Sequence, residues 1–169
     1  EASAAPIVTP ADKLPSDRLA PPLGWSFYEE SGRFRMMAPL GWVVHHNGTV
    51  TSIHEPNGPK IITVDRWPAP AGGSMAAARA RNEEWTAGLG NPPENYTLVG
   101  LEKVEYFTGG LEWEYTYDDP ATGAMRTVSR WFVDGSSCYA VSVTLPNYDY
   151  LGTTNYFDVV IGGFQPAQT

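Results

Sequence analysis

The chain has 169 residues, 42% of them hydrophobic, with 19 acidic against 11 basic side chains and a net charge of −8. That length suits one domain with its own core, and six Trp, nine Tyr and six Phe supply large side chains to fill it. The acidic balance repels phosphate backbones and argues against a nucleic-acid partner, no run of 18 apolar residues spans a membrane, and the single cysteine, Cys138, cannot form an internal disulfide.

Residues 1–24 differ from the rest of the chain. They hold five of the fifteen prolines, five alanines and no aromatic residue, and aromatics begin abruptly at Trp25. So few bulky apolar groups cannot offset the entropy of ordering, and the prolines favour an extended spacer. The expected organisation is therefore a Pro/Ala-rich linker over 1–24 and one folded domain over 25–169. Strand-like pieces follow at Trp25–Tyr28 and Arg33–Met37, around an "ESG" turn, then along "PLGWVVHHNGTVTSIHEP" and "KIITVDRW". Between 74 and 90 the period changes. Ser74 is positioned to cap a helix, Met75, Ala78, Trp85 and Leu89 share one face, and Gly88 and Gly90 end it. Strand patterns return at Tyr96–Tyr106, Leu111–Tyr117, Met125–Val133 and Cys138–Leu145. Leu151, Tyr156 or Phe157, Val160, Ile161 and Phe164 then recur at helical spacing. This order predicts an α+β fold, an antiparallel sheet with helices packed on it. Cys138, inside a strand-like run with no activating His or Asn beside it, reads as a small buried hydrophobe.

His45, His46 and His54 lie within ten positions and raise the question of a metal site. Asn47-Gly48 is a strong hairpin signal, because both residues tolerate the φ > 0 of a type I′ turn. A two-residue turn there pairs His46 with Thr49, Val44 with Thr51 and Trp42 with Ile53. His54 then lies four to five pairs from the other two, roughly 14–17 Å at ~3.4 Å per residue. Zinc needs its nitrogens about 2.0–2.1 Å away, so the three cannot share one ion. His45 and His46 also point to opposite faces. No metal site is expected, and Trp42, Val44, Thr51 and Ile53 form the core side. His46 and Thr49, at the hairpin edge, remain candidates for ligand contact; His46→Ala should then weaken binding without lowering the melting temperature.

Glu112 and Glu114 alternate with Leu111, Trp113, Tyr115 and Tyr117, so both project from one strand face. Paired carboxylates are the raw material of acid–base hydrolysis when they converge in a cleft. The competing expectation is cross-strand pairing with Arg126 or Arg130. Glu29-Glu30, Glu83-Glu84 and Asp118-Asp119 read as solvated faces or turns. No dinucleotide fingerprint, P-loop, EF-hand loop, G-x-S-x-G or CxxC is present, so no cofactor and no catalytic residue is assigned.

The run "GRFRMMAPLGW" resembles the start of PsbP-like domains. "YTLVGLEKVEYFTGGLEWEYTYDD", "TVSRWFVDGSSCYAVSVTLP" and "NYFDVVIGGFQP" resemble the extracytoplasmic C-terminal domain of actinobacterial serine/threonine protein kinases and related lipoproteins. The likeness spans roughly residues 25 to 166 and carries no catalytic signature. It implies an α/β/α sandwich with a central antiparallel sheet. It also implies a domain tethered to the outer face of the membrane through a segment preceding this chain, with any kinase activity outside these residues. The function expected is non-enzymatic binding of a small ligand or a cell-envelope protein, with His46, Thr49, Glu112 and Glu114 as the binding candidates. The rival expectations are a metal-binding accessory domain and a secreted hydrolase using Glu112 and Glu114.

Overall fold

A computed structural model of the chain describes residues 6–10 and 20–167. Its strands are β1 (Trp25–Glu30), β2 (Phe34–Pro39), β3 (Val43–Asn47), β4 (Val50–His54), β5 (Ile61–Pro68), β6 (Glu94–Lys103), β7 (Thr108–Asp119), β8 (Gly123–Asp134), β9 (Ser137–Pro146) and β10 (Gln165–Pro166). The helices are α1 (Gly73–Thr86) and α2 (Tyr150–Gly163). Seven strands form one antiparallel sheet in the order β3-β4-β5-β9-β8-β7-β6, and β1, β2 and β10 form a smaller one. Every element expected from periodicity is present, and the fold is the α+β arrangement expected.

Period-two alternation sorts the large sheet's side chains into two cores. On one face Val44, Ile53, Ile62, Val141, Val143 and Phe132 pack with Phe157 and Val160 of α2 and with Phe34 and Met36 of β2. On the other face Leu111, Trp113, Trp131 and Ala140 pack against Ala78 of α1, with Trp85 and Tyr96 at the margin. Each cover is partial. Helix α1 sits over the β6–β8 half of its face, whereas α2 and the small sheet cover the opposite face and leave its β6–β7 end open.

Four local expectations are corrected. The hairpin turn is Gly48-Thr49, one residue later than expected: Asn47 pairs with Val50, His46 with Thr51, His45 with Ser52, Val44 with Ile53 and Val43 with His54. Gly48 alone takes a positive φ, 62°, as a turn with glycine at its first central position requires. Moving the turn by one residue shifts each pairing by two, so the faces survive and Trp42, Val44, Thr51 and Ile53 are all buried. Ser74 does not cap α1. The N-cap is Gly72, and the buried Ser74 hydroxyl instead donates to the Gly109 carbonyl at 2.7 Å. Leu89 lies beyond the helix end and is exposed, as is Leu151 at the start of α2.

The fourth correction concerns the N-terminal segment. Residues 6–10, within the expected linker, lie along β3: the Val8 amide donates to Trp42 O, Val8 O accepts from Gly41, and Pro6 O accepts from Val44. Val8 is 3% exposed and belongs to the α2-side core. The remaining linker stretches 1–5 and 11–19 lie outside the described residues.

Candidate functional site

The four candidate residues fall into two places. His46 and Thr49 sit at the β3–β4 tip. Glu112 and Glu114 lie on β7, on the same sheet face as His46 but about five strand spacings of ~4.8 Å away.

At the tip, the organising group is Glu30, the last residue of β1. Its side chain is 9% exposed. Its carboxylate accepts hydrogen bonds from Thr51 Oγ1 at 2.7 Å and Tyr28 OH at 2.9 Å, and it lies 2.6 Å from His46 Nε2. Burial by itself raises the Glu30 carboxyl; the bonds from Thr51, His46 and Tyr28 outweigh it and hold the group below its ordinary value. The same carboxylate raises the Tyr28 phenol further, on top of burial. Thr49 Oγ1 donates to Asp65 on β5 at 2.6 Å, and Arg33 reaches the Thr49 carbonyl at 3.4 Å. His46 and Thr49 therefore tie the hairpin tip to the β1–β2 hairpin and to β5.

Glu112 and Glu114 present a different picture. Glu112 accepts from Arg130 at 3.1 Å and Glu114 pairs with Arg126 at 3.2 Å, the cross-strand pairing set against hydrolysis above. Both carboxylates line an open cleft of about 350 Å³ with Glu102 and Gly100 of β6 and with Thr154 and Asp158 of α2. Val128 and Phe157 form its apolar floor. Arg130 is sandwiched there, its guanidinium 4.9 Å from the Tyr106 ring centre and 5.4 Å from that of Phe157. Its Nε is buried and makes no hydrogen bond. Glu102 stands directly across from Glu112 in the β6–β7 register, a like-charge pairing that opposes sheet stability. Four carboxylates line the cleft, and two of them, Glu112 and Glu114, pair with arginines. Neither Glu102 nor Asp158 makes an ion pair among the described residues.

Sequence reasoning missed Glu102 and Asp158. The signal for Glu102 is its place on β6, but two register shifts in β6, between Glu94 and Thr97 and between Leu98 and Gly100, decide what it opposes. It also missed a smaller cavity of about 160 Å³ beside α1, where Arg81 and Trp85 face Thr63, Asp65, Ser129 and Ser142. Two of the hydroxyls there, those of Ser129 and Ser142, bond to each other at 2.7 Å. Cys138 is fully buried and its thiol is pushed up to about 12, by burial first and by Asp65 second, which suits the structural reading of that residue.

The architecture has known counterparts. The solution structure of the cyanobacterial PsbP protein CyanoP from Synechocystis matches over 91% of this chain and 97% of that one, with a TM-score of 0.63 and 11% identity. The fold is PsbP-like. A Pseudomonas aeruginosa protein of unknown function shares the PsbP-like arrangement over 79% of this chain and 91% of its own, with a TM-score of 0.50 and 8% identity. LpqN of Mycobacterium tuberculosis, described as involved in cell envelope biogenesis, covers 89% of this chain with 83% of its own, with a TM-score of 0.49 and 15% identity. No family model and no curated protein matches the sequence. At such identities the PsbP-like likeness establishes architecture alone.

Proposed function

We propose that this chain is a non-enzymatic, extracytoplasmic binding domain, tethered to the outer face of the membrane, whose cleft between α2 and β6–β7 accepts a cationic group of an envelope partner or ligand. The observation that carries this reading is Glu102 facing Glu112. Strand partners of like charge cost stability, and proteins retain such costs where function needs them. The apolar floor of Val128 and Phe157 suits the aliphatic stem of a lysine or arginine, and the carboxylate rim suits its head. A hydrolase reading finds less support. An acid–base pair needs a carboxyl free to exchange a proton with substrate, and Glu112 and Glu114 are each held by an arginine.

The extracytoplasmic placement draws on the PsbP-like fold, on the resemblance of residues 25 to 166 to kinase outer domains and lipoproteins, and on the proline-rich stretch before Trp25. No helix among the described residues is long and apolar enough to cross a membrane. The finer reading, the outer part of a serine/threonine kinase receptor, requires a kinase domain and about 20 apolar residues upstream.

Glu102→Gln tests the cleft. We expect the variant to melt slightly higher than wild type, as the repulsion is relieved, while losing at least tenfold in affinity for extended Lys- or Arg-containing peptides on an array. Equal peptide binding by wild type and variant would remove the cleft from the proposal. Protease treatment of intact cells tests the placement: cleavage of the domain from outside supports it, and protection until lysis refutes it.

A further inference from the structure

His45 and His54 are neighbours in space. With Val43 paired to His54 and His45 to Ser52, both histidines project from the face that carries α1, at the β3–β4 end that α1 leaves uncovered. Their ring centroids are 5.0 Å apart and their planes are inclined at 83°. His46 points to the opposite face and is bound to Glu30. The expected 14–17 Å separation, derived from the earlier turn, therefore does not apply to His45 and His54.

The 5.0 Å spacing has a chemical meaning. Imidazole nitrogens ligate at about 2.0–2.1 Å, and with each ring centre about 1 Å behind its nitrogen, two rings bound at angles of roughly 90–110° have centroids roughly 4.4–5.1 Å apart. The pair's 5.0 Å falls within that range. The present edge-to-face contact is also what two metal-free rings adopt. Because His45 is exposed and rotation about its Cβ–Cγ bond is soft, its ring can reorient without moving the backbone. Ser52, directly opposite His45 and two residues from His54, lies on the same face.

We propose that His45 and His54 form a two-imidazole site for a divalent transition-metal ion, copper(II) in preference to zinc(II). The preference follows from the ligand set. No group of three or more His, Cys, Asp or Glu side chains able to hold an ion occurs among the described residues, so water completes the coordination. Two nitrogens with water retain copper(II) best, by its place at the top of the divalent affinity order and its tolerance of tetragonal nitrogen–oxygen sets. Zinc(II) sites usually recruit three or four protein ligands. This inference is independent of the carboxylate cleft, which lies at the other end of the sheet.

The test is calorimetric titration of the 169-residue chain, free of any affinity tag and acetylated at its N-terminus, with copper(II) and separately with zinc(II). We expect one copper(II) per chain with micromolar or tighter affinity, weaker zinc(II) binding, and at least a tenfold loss of copper affinity in His45→Gln and in His54→Gln. His46→Gln should keep the wild-type value. Electron paramagnetic resonance of the copper-loaded chain should show two equivalent-strength nitrogen couplings, reduced to one in either variant. Circular dichroism of each variant separates loss of ligand from loss of fold. Copper binding weaker than micromolar in the wild type, or binding undiminished in either His45→Gln or His54→Gln, overturns the proposal.

Discussion

Glu30 gathers three donors onto one nearly buried carboxylate, and those donors come from β1, β3 and β4. Replacing it by glutamine keeps the shape but loses the charge-assisted bonds; we expect a cost of about 1–3 kcal/mol at pH 7, read from urea midpoints. The pH dependence has a definite sign. A carboxyl held below its ordinary value in the folded state takes its proton more readily when unfolded. Its stabilisation is therefore complete above that ordinary value of 4.5 and is lost as pH falls through the folded-state value. The urea midpoint of wild type should drop more steeply than that of Glu30→Gln between pH 5 and pH 3 (a window of roughly the ordinary carboxyl range). Parallel profiles would mean that Glu30 does not govern the acid limb. Sequence alone marks Glu30 only as one of two adjacent acids, because His46 and Thr51 lie 16 and 21 positions onward.

The helices show how local signals translate into elements. Asp149 is the N-cap of α2 and accepts the Gly152 amide at 3.1 Å, while a Cβ at position 152 would meet the Asp149 carboxylate at 2.5 Å. Cap and glycine are thus matched. Asp149→Ala should cost about 1 kcal/mol, a fall of roughly 2–4 °C in melting temperature for a domain of this size. An unchanged melting temperature would show that α2 is held by Phe157 and Val160 alone. Helix α1 has no side-chain cap. Packing of Ala78 and Trp85 against the sheet has to hold it, with the Ser74–Gly109 bond pinning its first turn to β7. The expectation that Ser74 caps arose because a serine before an apolar-periodic run fits the pattern; it fails because the positive-φ Gly72-Gly73 pair starts the helix two residues earlier.

The whole domain is closed at one sheet edge by its own N-terminal segment. Residues 6–10 lie along β3, and Val8 reaches the core. Placing a charge there strands it among apolar groups. Val8→Asp should lower unfolding free energy by at least about 2 kcal/mol, the value of burying one valine. A midpoint shift smaller than about 0.5 kcal/mol, the range of ordinary surface substitutions, would show the segment to be dispensable. Edge β6 carries no such cover among the described residues, and Leu98 and Val99 are exposed beside the carboxylate cleft. From sequence alone came the α+β class, the element order, the core face of the β3–β4 hairpin, the arginine partners open to Glu112 and Glu114, and the PsbP-like likeness. The class, the element order, the core face and the arginine partners rest on periods of 2 and 3.6 residues or on residues a strand apart, which neighbouring positions encode; the PsbP-like likeness rests on the resemblance of the quoted runs. Only the tertiary structure decided that Val8 is core, that Glu102 opposes Glu112, and that His45 meets His54. The first depends on a segment about 35 residues away in sequence lying along β3, and the other two on where a turn or bulge places a register.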